Sequence, residues 1–131
     1  MLTGRCHCRA IRYAVPREAV LHHALCHCGD CRRHAGAPMV GWAMVPAESL
    51  VVHGSPKVYA SSARGRRSFC PDCGTGLFYA NEENLPGLVD IQTGTLDDPA
   101  ALPPGAQIQV AERLPWMAAL DGLPAFERYP G

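Results

Sequence analysis

Apolar and polar positions in this chain alternate in many short runs. Residues 10–15 alternate at period two until Pro16 stops them. Residues 88–93 and 107–111 do the same, with Ile and Val on the inward phase. Further strand-like runs lie at 5–8, 20–26, 40–45, 51–53, 57–60, 66–69 and 76–80. One short helix is predicted over 29–35, with Arg32, Arg33 and His34 toward its end and Gly36 as its stop. Residues 46–50 and 97–102 suggest single helical turns. The final stretch, punctuated by Pro115, Pro124 and Pro130, reads as an ordered loop or tail. The pattern predicts one mostly-β, antiparallel domain over residues 1–131, with a few short helical turns.

Composition narrows the function. Hydrophobic residues are 47% and charged residues 18% of 131, a globular balance. Twelve basic and twelve acidic residues cancel, and Lys57 is the single lysine. Bulk electrostatics therefore argue against a nucleic-acid or membrane-surface partner. The longest nearly apolar stretch, residues 36–46, is too short to span a bilayer. The first residues show no apolar leader run, so a cytoplasmic, reducing location is expected. There, clustered thiols more often hold metal than form disulfides.

Seven cysteines, an odd number, fall in three groups. Cys6 and Cys8 are spaced C-x-C. If they lie on a strand, both sulfurs share one face. Cys70 and Cys73 form C-x-x-C, a turn spacing suited to one ion, with Gly74 free to take positive φ. Two such pairs make a closed four-thiolate site. Cys26, Cys28 and Cys31 form C-x-C-x-x-C where a strand meets the helix. Three protein ligands with one open position is the arrangement of a catalytic zinc. Four plus three accounts for every cysteine, but spacing alone does not fix which pair joins which. His27 alternates away from its cysteine neighbours.

With these groups in place, the chain resembles the glutathione-dependent formaldehyde-activating enzyme family, which includes centromere protein V. The resemblance rests on Gly4-Arg5-Cys6-His7-Cys8, Cys26-His27-Cys28-Gly29-Asp30-Cys31-Arg32 and Arg67-Ser68-Phe69-Cys70-Pro71-Asp72-Cys73-Gly74. Gly94 to Pro99 and Leu114-Pro115-Trp116 add to it. It implies a β-tent of antiparallel sheets joined at a structural zinc on Cys6, Cys8, Cys70 and Cys73. It also implies a catalytic zinc on Cys26, Cys28 and Cys31. The implied activity is carbon–sulfur lyase chemistry run in the synthetic direction, joining formaldehyde to glutathione as S-(hydroxymethyl)glutathione.

A glutathione-like thiol carries two carboxylates, for which Arg32, Arg33, Arg64, Arg66 and Arg67 are the candidate cations. Arg67, three residues before Cys70, is the best placed. Trp42 and Trp116 are candidates either to wall a pocket or to pack in the core. Asp30, His27 and His34 lie near the trio in sequence, but none is marked as a general base. His22, His23 and His53 read as surface or satisfied strand residues. Two other readings stay open: a non-catalytic zinc-stabilised binding module, and a redox or metal-relay protein using the trio. An apolar strand edge is a candidate surface for a homodimer.

Overall fold

The computed structural model describes residues 1–131. The small sheet has three strands, β1 (Leu2–Arg5), β2 (Arg12–Val15) and β5 (Val51–His53), in the order β1-β2-β5. The large sheet has seven: β3 (His22–Cys26), β4 (Val40–Pro46), β6 (Lys57–Ala60), β7 (Gly65–Phe69), β8 (Gly76–Asn81), β9 (Leu88–Gln92) and β10 (Ala106–Ile108). Their spatial order is β10-β3-β4-β9-β8-β7-β6. The one α-helix, α1 (Gly29–Ala35), follows β3. Short 3-10 turns supply the remaining helical structure, including the expected turns at Ala47–Ser49 and Pro99–Ala101.

The period-two pattern divides the large sheet into two faces. Val45, Val89 and Ile91 point to one side, where they meet Ile11, Tyr13 and Val15 of the small sheet's side of the molecule. Each fully buried aliphatic side chain there contributes roughly 1.5–3 kcal/mol. Tyr13 fixes how closely β1 approaches. Its ring lies over Gly4, its partner in register, and its hydroxyl bonds Thr95 Oγ1 at 2.7 Å. A side chain at position 4 would occupy the space of that ring. Met44, Trp42 and Asp90 alternate to the other face.

Two expectations fail in instructive ways. Residues 5–8 are not a strand: β1 ends at Arg5 and the chain turns. Cys6 N–H donates to Ile11 O at 3.0 Å, Arg9 N–H donates to Cys6 O at 3.2 Å, and Arg9 has a φ of 73°. Cys6 and Cys8 converge because a turn wraps them, not because strand alternation aligns them. The large sheet is also not wholly antiparallel. β10 pairs parallel to β3, with Ala106, Gln107 and Ile108 opposite Ala24, Leu25 and Cys26. It lies at the edge and all three of its residues are exposed, so its alternation marks no buried face. Residues 110–112 form a 3-10 turn instead of extending it. No helix is long and apolar enough to cross a membrane.

Candidate metal centres and cleft

The turn after β1 and the turn joining β7 to β8 bring four thiols together. The sulfurs of Cys6, Cys8, Cys70 and Cys73 all lie within 4.8 Å of one another. Cys8 Sγ is 3.7 Å from both Cys6 Sγ and Cys70 Sγ. Four thiolates around a tetrahedral zinc at ~2.3 Å would have sulfur–sulfur edges of ~3.8 Å, so the donor set fits that ion. Cys6 and Cys70 are fully buried in the main core. Ile11 N–H donates to Cys6 Sγ at 3.2 Å, and Gly74 takes a φ of 83°, as the C-x-x-C turn requires. Hydrogen bonds from the Thr75 side chain and backbone draw Cys73 down to about 5. Cys8 rises to about 12: Ala10 N–H draws it down, but lost hydration and the three crowding thiols prevail. Such a quartet ionises fully only beside a cation.

The second cluster forms where β3 ends and α1 begins. The sulfurs of Cys26, Cys28 and Cys31 also lie within 4.8 Å of one another, and Cys31 N–H donates to Cys28 Sγ at 3.3 Å. Burial pushes the Cys26 thiol up to about 12, against the backbone N–H of Cys28. Burial and the Cys28 thiol raise Cys31, while Trp42 and Arg67 act to lower it. Three soft donors that repel one another's charge are again a set suited to zinc. His27 is not part of it. Its side chain is buried, and Nε2 bonds Gln107 Oε1 at 2.8 Å, tying β3 to β10.

Cys26 and Cys31 are buried against Val40 and Trp42, yet with Cys28 they also line an opening to solvent. They stand at one end of a cleft of about 450 Å³. Its floor is a row of residues in register across five strands: His22, Met44, Asp90, Tyr79 and Arg67. Trp42, one step along β4 and only 6% exposed, joins that floor. Asp30, Leu85, Ile108 and Glu112 complete the walls. Glu112 also accepts the Gly29 N–H at 3.2 Å, fastening residues 110–112 to the start of α1.

Arg67 is buried, at 5% exposure, which is unusual for an arginine. Its Nη atoms donate to Cys31 Sγ at 3.8 and 3.9 Å, and its guanidinium lies 4.8 Å from the Tyr79 ring centre. It also borders a second hollow with Arg33, His34, Tyr59 and Ser61.

The remaining candidates lie elsewhere. Arg64 pairs with Glu83 at 3.2 Å, and Arg66 bonds loop carbonyls of Ser62, Ala63 and Gly65. Arg32 and Trp116 border a shallow surface depression, with Trp116 half exposed. His23 bonds Thr93 Oγ1 at 3.0 Å, and His34 stacks on Tyr59. His22, Met44, Tyr79, Asp90 and Glu112 were not identified from sequence. The alternation of β9 offered one signal, since it places Asp90 opposite the apolar phase.

The fold and its sites thus define a cysteine-rich, mostly-β protein with one thiol cluster anchored in the core through Cys6 and Cys70 and another opening on a cleft. The glutathione-dependent formaldehyde-activating enzyme family matches over residues 1–112, and the chain belongs to that family. A candidate glutathione-dependent formaldehyde-activating enzyme of Halomonas elongata is 31% identical over 114 residues, covering 79% of this chain and 71% of that one. An uncharacterized lyase of Schizosaccharomyces pombe is 35% identical over 78 residues, 59% of this chain. That match spans 56% of the yeast protein, little more than half its length. The crystal structure of a Rhodobacter sphaeroides protein shares the fold. Its TM-score is 0.62 at 23% identity, with 80% of this chain and 98% of that one covered.

Proposed function

We propose that this protein joins glutathione, or a closely similar thiol, to formaldehyde at the cleft headed by Cys26, Cys28 and Cys31. The observation that carries the proposal is the convergence of those three sulfurs at the end of a 450 Å³ cleft. Cys6, Cys8, Cys70 and Cys73 would hold a structural zinc at the meeting of the two sheets, the closed site expected of a β-tent. Cys26, Cys28 and Cys31 would hold a second zinc and leave one position open. Zinc bound there lowers the pKa of an incoming thiol while keeping its sulfur nucleophilic.

The reaction is an addition. A carbon–sulfur bond forms, the carbonyl π pair moves to oxygen, and the proton lost by the thiol is balanced by one gained at that oxygen. Thiols add readily to formaldehyde, so positioning supplies most of what is needed. Trp42, Tyr79, Leu85 and Ile108 give the cleft apolar walls. Arg67 directs two N–H groups at Cys31 Sγ and offsets the negative charge gathered by three thiolates. Because the Tyr79 ring supports its guanidinium, that positive charge is fixed in direction.

The test is an NMR titration of the zinc-loaded protein with glutathione and then formaldehyde. Resonances of Trp42, Arg67 and the trio should shift with glutathione, and the hydroxymethyl adduct should form faster than without protein. Unmoved resonances at the trio would remove glutathione from the reading.

A further inference from the structure

Among the acidic groups facing the cleft, Asp90 is the one that is both withheld from bulk water and without a hydrogen-bond partner in the chain. Glu112 fastens the start of α1, and Arg67 is committed to Cys31 and Tyr79. Asp30 is exposed to bulk water, where its charge is screened. Asp90 is half-buried on a central strand of the large sheet, between Met44 on β4 and Tyr79 on β8. No ion pair engages it; the chain's one salt bridge joins Arg64 and Glu83. Burial pushes its carboxyl up to about 6, with His22 pulling the other way. A carboxylate kept partly dry beside a thioether and a phenol ring costs folding energy that His22 offsets only in part.

The cleft's charges point the same way. Asp30, Glu112 and His22 are exposed, so Asp90 and Arg67 are the two charged groups of the cleft held partly or wholly from bulk water. Asp90 favours an ammonium group on whatever ligand enters. Register sets the distance. Arg67, whose Nη atoms reach Cys31 Sγ, and Asp90 are two strands apart in the same row. At ~4.8 Å per strand their backbones lie roughly 10 Å apart. An extended γ-glutamyl-cysteinyl unit holds its ammonium and its sulfur roughly 10 Å apart.

We propose that Asp90 docks a primary ammonium group of the incoming thiol, from the middle of the cleft floor. This rests on the reading of the cleft as a thiol site, and it names the feature by which the thiol is chosen. For glutathione, the group docked is the γ-glutamyl ammonium. Asp90 is thereby a specificity residue: it positions the substrate and takes no part in bond making.

The zinc-loaded protein is titrated with glutathione and with glutaryl-cysteinylglycine, the same skeleton with hydrogen in place of the ammonium. A charge-assisted hydrogen bond in a partly desolvated site should make glutathione bind roughly tenfold or more tightly. In Asp90→Asn, with its fold verified by NMR, that preference should fall to about twofold or less. Equal binding by the wild type, or a preference that survives in Asp90→Asn, overturns the proposal. If neither peptide binds, the glutathione reading has failed. The ammonium site is then judged with 6-amino-1-hexanethiol against 6-mercapto-1-hexanol. A preference for the amine that is lost in Asp90→Asn upholds the site, and equal binding overturns it.

Discussion

Replacing Asp90 with Asn should stabilise the fold at neutral pH, and the gain should depend on pH in a defined direction. Burial raises this carboxyl from 3.8 to about 6. Each unit is worth ~1.36 kcal/mol, so the ionised group costs up to about 3 kcal/mol in the folded state relative to the unfolded one. The group borders an open cleft, and allowing for solvent there leaves roughly 1–2 kcal/mol. The sign follows from proton binding. Between 3.8 and 6 the folded state holds this proton more tightly than the unfolded chain, so stability falls as pH rises through that window. Asn carries no such cost. The variant should therefore gain most at pH 8, about half as much at pH 5, and nothing below both pKa values.

The assay is urea denaturation of both zinc-loaded proteins across pH 5 to 8, since zinc loss in acid affects the two alike. A gain that does not change with pH, or a variant less stable at pH 8, would refute the reasoning. Stabilisation bought by removing a carboxylate from a cleft is also what a residue kept for binding should show.

Other changes probe separate parts of the structure. Cys70→Ser removes a fully buried member of the quartet, and apparent zinc binding of ~10–16 kcal/mol exceeds typical domain stability, so the cooperative unfolding transition should vanish. Cys31→Ser should retain that transition, because the quartet lies apart from it; circular dichroism melts distinguish the two. Gly4→Ala drives a methyl group into the Tyr13 ring and to 2.7 Å from the Thr95 carbonyl oxygen, and should cost ~2–3 kcal/mol in a denaturation curve. Arg67→Lys keeps the charge but loses the paired Nη–Sγ contacts and the support of Tyr79. It should cost ~1–2 kcal/mol and speed removal of metal from the trio by a chelator, with unchanged release as the contrary result.

The cysteine partition was legible through the family resemblance, since spacing alone left open which pair joins which, and the structure gathers the same four and the same three. Strand alternation is not what aligns Cys6 and Cys8: the turn that ends at Arg9, with its positive φ, already begins at Cys6, inside the run read as a strand over residues 5–8. The parallel pairing of β10 was not legible, since its partner is about eighty residues earlier and its own residues are all exposed. Alternation in β9 located the core through Val89 and Ile91. It left Asp90 looking like a solvated residue, because only tertiary structure brings Leu85 and Tyr79 around that face. Arg67 was singled out for its place near Cys70. Its actual contact is with Cys31, across the β7–β8 side of the cleft, a pairing that no local spacing encodes.

Metal content under stepwise chelation, followed together with thiol alkylation and secondary structure, tests the division of sulfurs most directly. The account predicts two zinc ions per chain. A mild chelator should remove one, exposing Cys26, Cys28 and Cys31 to alkylation while the strands persist, and loss of the other should coincide with unfolding. A single ion per chain with the trio unreactive, or two ions released together as the fold collapses, would contradict it.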